Sequence, residues 1–124
     1  MKSMVRDFKS LGVWGKSRDF ARQLYESSSA FPPAERFGLT SQLRRAGVSI
    51  MTNIAEGCGR KTERDFLSFL HIALGSSKEC VSLLILCEDL GYISKEQASL
   101  LIGRAVELEK MLSVFVQKVE ERIR

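Results

Sequence analysis

The stretch Leu39 to Arg60, LTSQLRRAGVSIMTNIAEGCGR, reads as a helix that must bury two faces at once. Leu43, Gly47, Ile50 and Ile54 recur at three- and four-residue spacing, while Ala46, Val48, Met51 and Ala55 fill a neighbouring stripe. A helix patterned in this way needs packing partners on both sides, which points to a helical assembly. Polar side chains interrupt the pattern. Gln42, Arg44, Arg45, Ser49, Asn53 and Glu56 fall on or beside the packed faces, where any group removed from water needs a partner. Gly57 is expected to end the helix, because a residue without Cβ accepts the left-handed turn common just past a last turn.

The rest of the chain supplies the partners. Val13, Ser17, Phe20, Ala21 and Leu24 form the inner stripe of a first helix over 12–28. Trp14 and Tyr25 lie next to that stripe and read as bundle or subunit anchors, not base-stacking platforms. The two prolines, Pro32 and Pro33, suit a helix start near position 33, with Glu35 complementing the dipole and Gly38 able to separate a short first turn from the main helix. Thr62 is the expected N-cap of a third helix whose stripe runs from Phe66 through Leu70, Ala73, Ser77, Cys80 and Leu84 to Cys87. Leu67, Leu83 and Leu86 add a second strip that one copy of the chain need not cover. Gly91 closes this helix, and Ser94-Lys95-Glu96-Gln97 is a capping-box start for a fourth, apolar at heptad-like spacing to Ile123. Short loops between four helices imply an all-α fold, an antiparallel up-down-up-down four-helix bundle, with residues 1–124 as a single domain.

This string also resembles a known family. SQLRRAGVSIMTNIAEGCGR, with Phe31-Pro32 before it and Phe66-Leu67 after it, resembles the large-subunit (23S) ribosomal RNA intervening-sequence proteins, small bacterial four-helix bundles. The resemblance extends to Phe8-Lys9-Ser10-Leu11-Gly12-Val13-Trp14, to Ala73-Leu74-Gly75-Ser76-Ser77-Lys78-Glu79 and to Leu90-Gly91-Tyr92-Ile93, nearly the whole chain. Gly47 departs from it, since the family more often has alanine or another small apolar residue there. The resemblance implies an antiparallel bundle that often closes into a five-membered ring, and hence a homo-oligomer with a pentamer favoured. In the wider group, the accessory proteins of diversity-generating retroelements form basic pentameric barrels that act with a reverse transcriptase and nucleic acid. A role for the family itself is poorly defined.

Charge is placed unevenly. Residues 1–64 carry 12 Lys/Arg against 6 Asp/Glu, and residues 65–124 carry 7 against 9, giving the overall net charge of +4. The basic first half can attract nucleic acid or another acidic partner over a Debye length of about 10 Å. No uninterrupted apolar run reaches the roughly 20 residues of a membrane span, and Arg6, Asp7 and Lys9 interrupt any signal-peptide core, so a cytoplasmic protein is expected. Three cysteines without metal or disulfide spacing read as reduced core thiols.

Chemistry is sparse. His71 is the only histidine and has Leu74 and Gly75 at i+3 and i+4, so neither a metal pair nor a catalytic dyad is built around it. Gly57-Cys58-Gly59-Arg60-Lys61-Thr62 follows a helix instead of a strand and lacks the full phosphate-loop spacing. No cofactor, metal or small-molecule substrate is expected, and the protein reads as a non-enzyme. Two readings of the remaining polar residues stand side by side. In one, Arg45, Ser49, Asn53, Glu56 and Glu79 form an interhelical network, with Arg45 or another cation balancing Glu79 and Asn53 bonding across the bundle. In the other, Arg44, Arg60, Lys61 and Arg64 form a basic rim that holds RNA or DNA by its phosphates without reading sequence. The competing function is a protein–protein scaffold whose positive face meets an acidic partner.

Overall fold

The computed structural model describes residues 6–123. Four α-helices carry the chain: α1 (Gly12–Ser28), α2 (Leu39–Cys58), α3 (Glu63–Asp89) and α4 (Lys95–Ile123). Single 3₁₀ turns at Phe8–Ser10 and Pro33–Glu35 precede the first two, and no strand occurs among the described residues. Helix α1 has the bounds its periodicity predicts, and all five residues of its stripe are buried. Gly38 does separate the short Pro33 turn from α2.

The helix ends follow from local chemistry. At α3 the Thr62 hydroxyl accepts the Asp65 N–H at 3.1 Å, and Glu63 and Asp65 add negative charge where the dipole is positive. Its other end closes on Gly91, at φ +77°. The Gly91 and Tyr92 amides bond back to the Glu88 and Cys87 carbonyls, both at 2.9 Å, in a Schellman arrangement. Ser94 caps α4 by accepting the Gln97 N–H. The Gln97 side chain does not complete the box, however. It donates to Ser27 Oγ at 2.8 Å and so ties α4 to α1.

Gly57 departs from expectation. It lies buried inside α2, which runs on to Cys58, and the capping Gly59 has φ −86°, not a left-handed angle. What this position requires is space. A Cβ on Gly57 would stand 2.9 Å from Phe66 Cδ1 and 2.9 Å from Phe69 Cβ, so its bareness sets how closely α3 turns back against α2. Gly47 similarly faces the buried Leu24.

Each helix packs on two others: α1 on α2, α2 on α3, α3 on α4, and α4 on α1. Arg44 near the start of α2 reaches Ser28 at the end of α1, and Glu63 at the start of α3 meets Arg122 at the end of α4. Gln97 at the start of α4 meets Ser27 near the end of α1. Such contacts join the start of one helix to the end of its neighbour, as antiparallel packing does. One hydrophobic cluster draws on all four helices, and Leu24, Ile50, Phe66, Leu84 and Leu112 are all but sealed from solvent.

Helix α3 is long and apolar enough by length and composition to cross a membrane. Its hydropathy has a nearer cause in the buried stripe Phe66, Leu70, Ala73, Cys80, Leu84 and Cys87, which packs between α2 and α4. The second strip differs from its expected membership. Leu83 is buried and Leu67 partly so, whereas Ile72, Ile85, Leu86 and Leu90 are about half exposed.

Candidate nucleic-acid interface

The expected interhelical network is smaller than its sequence pattern and turns on a residue outside it. Ser49 Oγ meets the buried Ser76 Oγ of α3 at 2.8 Å, which is the polar link between α2 and α3. Asn53 does not reach across. Its amide donates to Ser49 O and Ser49 Oγ at 2.8 and 2.9 Å within its own helix. Glu56 is exposed and pairs with Arg60 at 2.9 Å. Arg45 and Glu79 are both exposed and line the same groove of about 500 Å³, yet they form no ion pair. Exposure explains why: water satisfies both charges, and a surface pair gains little against the entropy of holding two long side chains.

The four residues of the basic rim do not form one patch. Arg44 stands fourteen residues before Cys58, the last residue of α2, roughly 21 Å along the axis, and Arg60 lies two residues beyond that end. Arg60, Lys61 and Arg64 gather around the α2–α3 turn, where Arg60 is already paired with Glu56 and lies over the Phe69 ring. Arg44 belongs to the opposite end.

There it joins a different set. Tyr25, Arg36, Phe37, Thr40, Arg44 and Arg45 line a cleft of about 280 Å³ where the end of α1 meets the start of α2. The Arg44 guanidinium lies 4.5 Å over the Tyr25 ring, donating from Nε to Ser28 Oγ at 2.8 Å and from Nη2 to the Tyr25 carbonyl. Arg36 lies 5.2 Å over the Phe37 ring. Among the described residues none of these three arginines is paired with a carboxylate. Tyr25 is 46% exposed and Phe37 88% exposed. Tyr25 is therefore not an anchor within one copy of the chain, whereas Trp14 is partly buried and packs edge-on to Phe8.

The loop that carries Arg36 and Phe37 is fixed from below. Glu35 Oε1 accepts the Leu39 N–H at 3.1 Å, closing the first turn of α2, and Glu35 Oε2 accepts the Tyr92 hydroxyl at 2.8 Å. Those bonds, the Leu39 amide first, hold the Glu35 carboxyl below its ordinary pKa. The same contact holds the Tyr92 phenol above its own, so the pair persists with carboxylate charged and phenol neutral. Tyr92 in turn packs its ring on the buried Phe31.

The cysteines take no part in a site. All three are buried and unbridged, and burial pushes the Cys80 thiol up to about 12 and that of Cys87 up to about 11, which keeps them protonated and unreactive at neutral pH. His71 stands exposed on α3. Among the described residues no group of three His, Cys, Asp or Glu side chains is placed to hold a metal ion.

No curated protein matches the chain. A solved structure from Bacteroides thetaiotaomicron, a protein of unknown function from the S23 ribosomal protein family, is 29% identical to it. The two superpose with a TM-score of 0.76 over 84% of this chain and 97% of that one. The family model of the 23S rRNA-intervening sequence proteins matches residues 9–114, which takes in all of α1, α2 and α3 and most of α4. On that match, the chain belongs to the 23S rRNA-intervening sequence protein family.

Proposed function

We propose that this protein is a non-enzymatic, cytoplasmic, oligomeric bundle that binds RNA or DNA by the phosphate backbone without reading sequence. The observation that carries this reading is the cleft at the α1–α2 end, lined by Arg36, Arg44 and Arg45, none of which forms an ion pair with a carboxylate among the described residues. Guanidinium groups present planar pairs of donors that match phosphate oxygens, and each contact releases counterions, so binding is salt-dependent. Arg60, Lys61 and Arg64 form a weaker second site, since Glu56 already neutralises Arg60.

Fluorescence anisotropy with RNA and DNA duplexes across a salt series tests this. Changing Arg36, Arg44 and Arg45 together to glutamine is expected to flatten the slope of log K against log salt by about 0.9 per lost phosphate contact. Changing Arg60, Lys61 and Arg64 instead is expected to have the smaller effect. Binding that survives the first triple variant intact would overturn the assignment. No binding even at low salt would move the reading to a scaffold for an acidic protein.

The oligomer is supported by the half-exposed Ile72 and Leu86 of α3 and Leu90 at its C-cap, whose spacing puts them on one side of the helix and which one copy does not cover. Light scattering is expected to return about five times the 14.0 kDa chain mass. A monomer throughout the micromolar range would rule the pentamer out.

A further inference from the structure

The phosphate reading leaves Phe37 and Tyr25 without a task. Phe37 is 88% exposed, yet it does not sit on a loose segment. Pro32 and Pro33 preset the chain before it, and Glu35 is held by the Leu39 amide and the Tyr92 hydroxyl. Gly38 follows so closely that a Cβ there would stand 2.8 Å from Glu35 Oε1. These restraints fix the backbone from which the Phe37 ring stands out in water, on the same cleft as the half-exposed Tyr25 and three arginines that form no ion pair among the described residues.

Resting on the phosphate-contact reading, we infer that the cleft is specific for single-stranded nucleic acid, whose unpaired bases stack on Phe37 and Tyr25 while Arg36, Arg44 and Arg45 hold the flanking phosphates. Arg36 lies over one face of the Phe37 ring, whose 88% exposure leaves room for a base, and Arg44 lies over the Tyr25 ring beside it in the cleft lining. A duplex keeps its bases stacked inside, so it offers this cleft only phosphates. A restrained backbone leaves only the torsions of the Phe37 side chain to be fixed when a base lands on the ring, which is the advantage of preorganisation. Every base has a π-face, and the cleft therefore selects strandedness over sequence.

The test uses the full chain with labelled uridine and thymidine homopolymers of about 12 nucleotides, within the usual site-size range, and a duplex of equal length. Phe37→Ala removes an exposed ring and leaves the fold intact. It is expected to weaken single-strand binding about tenfold, with the salt slope and duplex affinity unchanged, because no phosphate contact is lost. Phe37→Leu, which keeps apolar bulk without the π-face, is expected to bind as weakly as Phe37→Ala, and Phe37→Trp to restore affinity. Equal loss on strand and duplex, or no loss on either, would overturn the inference. If Phe37→Ala binds normally while the arginine triple variant does not, the phosphate reading stands and this one falls. If wild type binds no nucleic acid, both fall. A Phe37→Ala protein whose mass drops in light scattering while its affinity holds would make Phe37 a contact between copies of the chain, again overturning the inference.

Discussion

Replacing Phe66 with alanine is expected to cost about 3–5 kcal/mol of folding stability, read as a lower denaturant midpoint with the slope unchanged. Phe66 has no solvent exposure and sits in the first turn of α3, where three other segments meet on its ring. Gly57 of α2 comes close enough that a Cβ there would touch the ring, and Phe115 of α4 packs edge-on with centroids 5.3 Å apart. The Arg6 guanidinium lies 4.1 Å over its face. Truncation leaves a cavity among elements that cannot all close on it, and adds the loss of the aromatic pair, about 0.5–1.5 kcal/mol beyond area alone. Phe66→Leu should lose less, since most of the volume remains. Because assembly couples stability to protein concentration, the two variants are compared with wild type at one concentration. A loss below about 1.5 kcal/mol for the alanine variant would mean that the site collapses freely, contrary to the packing described.

The second large effect belongs to Glu63. Its carboxylate is only 12% exposed, and it takes Arg6, itself 10% exposed, on Oε1. Arg122 lies 3.3 Å from Oε2, a charge contact without hydrogen-bond alignment, since that oxygen accepts no aligned bond among the described residues. Glu63→Ala would remove the largely buried carboxylate that Arg6 and Arg122 both meet, at an expected cost of about 3 kcal/mol. Arg122→Ala, on the more exposed partner, should cost less than about 1 kcal/mol. A double-mutant cycle between positions 6 and 63 measures the coupling. A coupling energy near zero would show that the acid serves α3 only as a first-turn charge.

The helices were legible because their signals are local. The stripe of α1, the Thr62 and Ser94 caps and the Gly91 stop each depend on residues within one or two turns, and the structure places each as expected. Gly57 was misread because a glycine near a helix end suggests a turn, whereas its demand comes from Phe66 and Phe69 across the α2–α3 turn. The same limit separates Trp14 from Tyr25. Each directly follows a buried stripe residue, Val13 or Leu24, and is rotated about 100° from it. Phe8 folds back against Trp14, while Tyr25 is left to Arg44 and water, a difference fixed by segments outside α1. The basic rim failed for a related reason: Arg44 lies in the second turn of α2 and Arg60 just past its last residue, so the rise of the helix puts them at opposite ends. Phe37, one aromatic residue before a glycine, gave no sign of its exposure. Only the Glu35–Tyr92 bond, 57 residues apart in sequence, reveals how its loop is held.

The contact of Glu63 with both Arg6 and Arg122 brings the two ends of the described chain together beside the start of α3. The arginine cleft lies at the far end of α2, a 20-residue helix about 30 Å long. A dye attached beside residue 6 or beside residue 123 therefore departs from the same corner of the molecule, a helix length from the cleft.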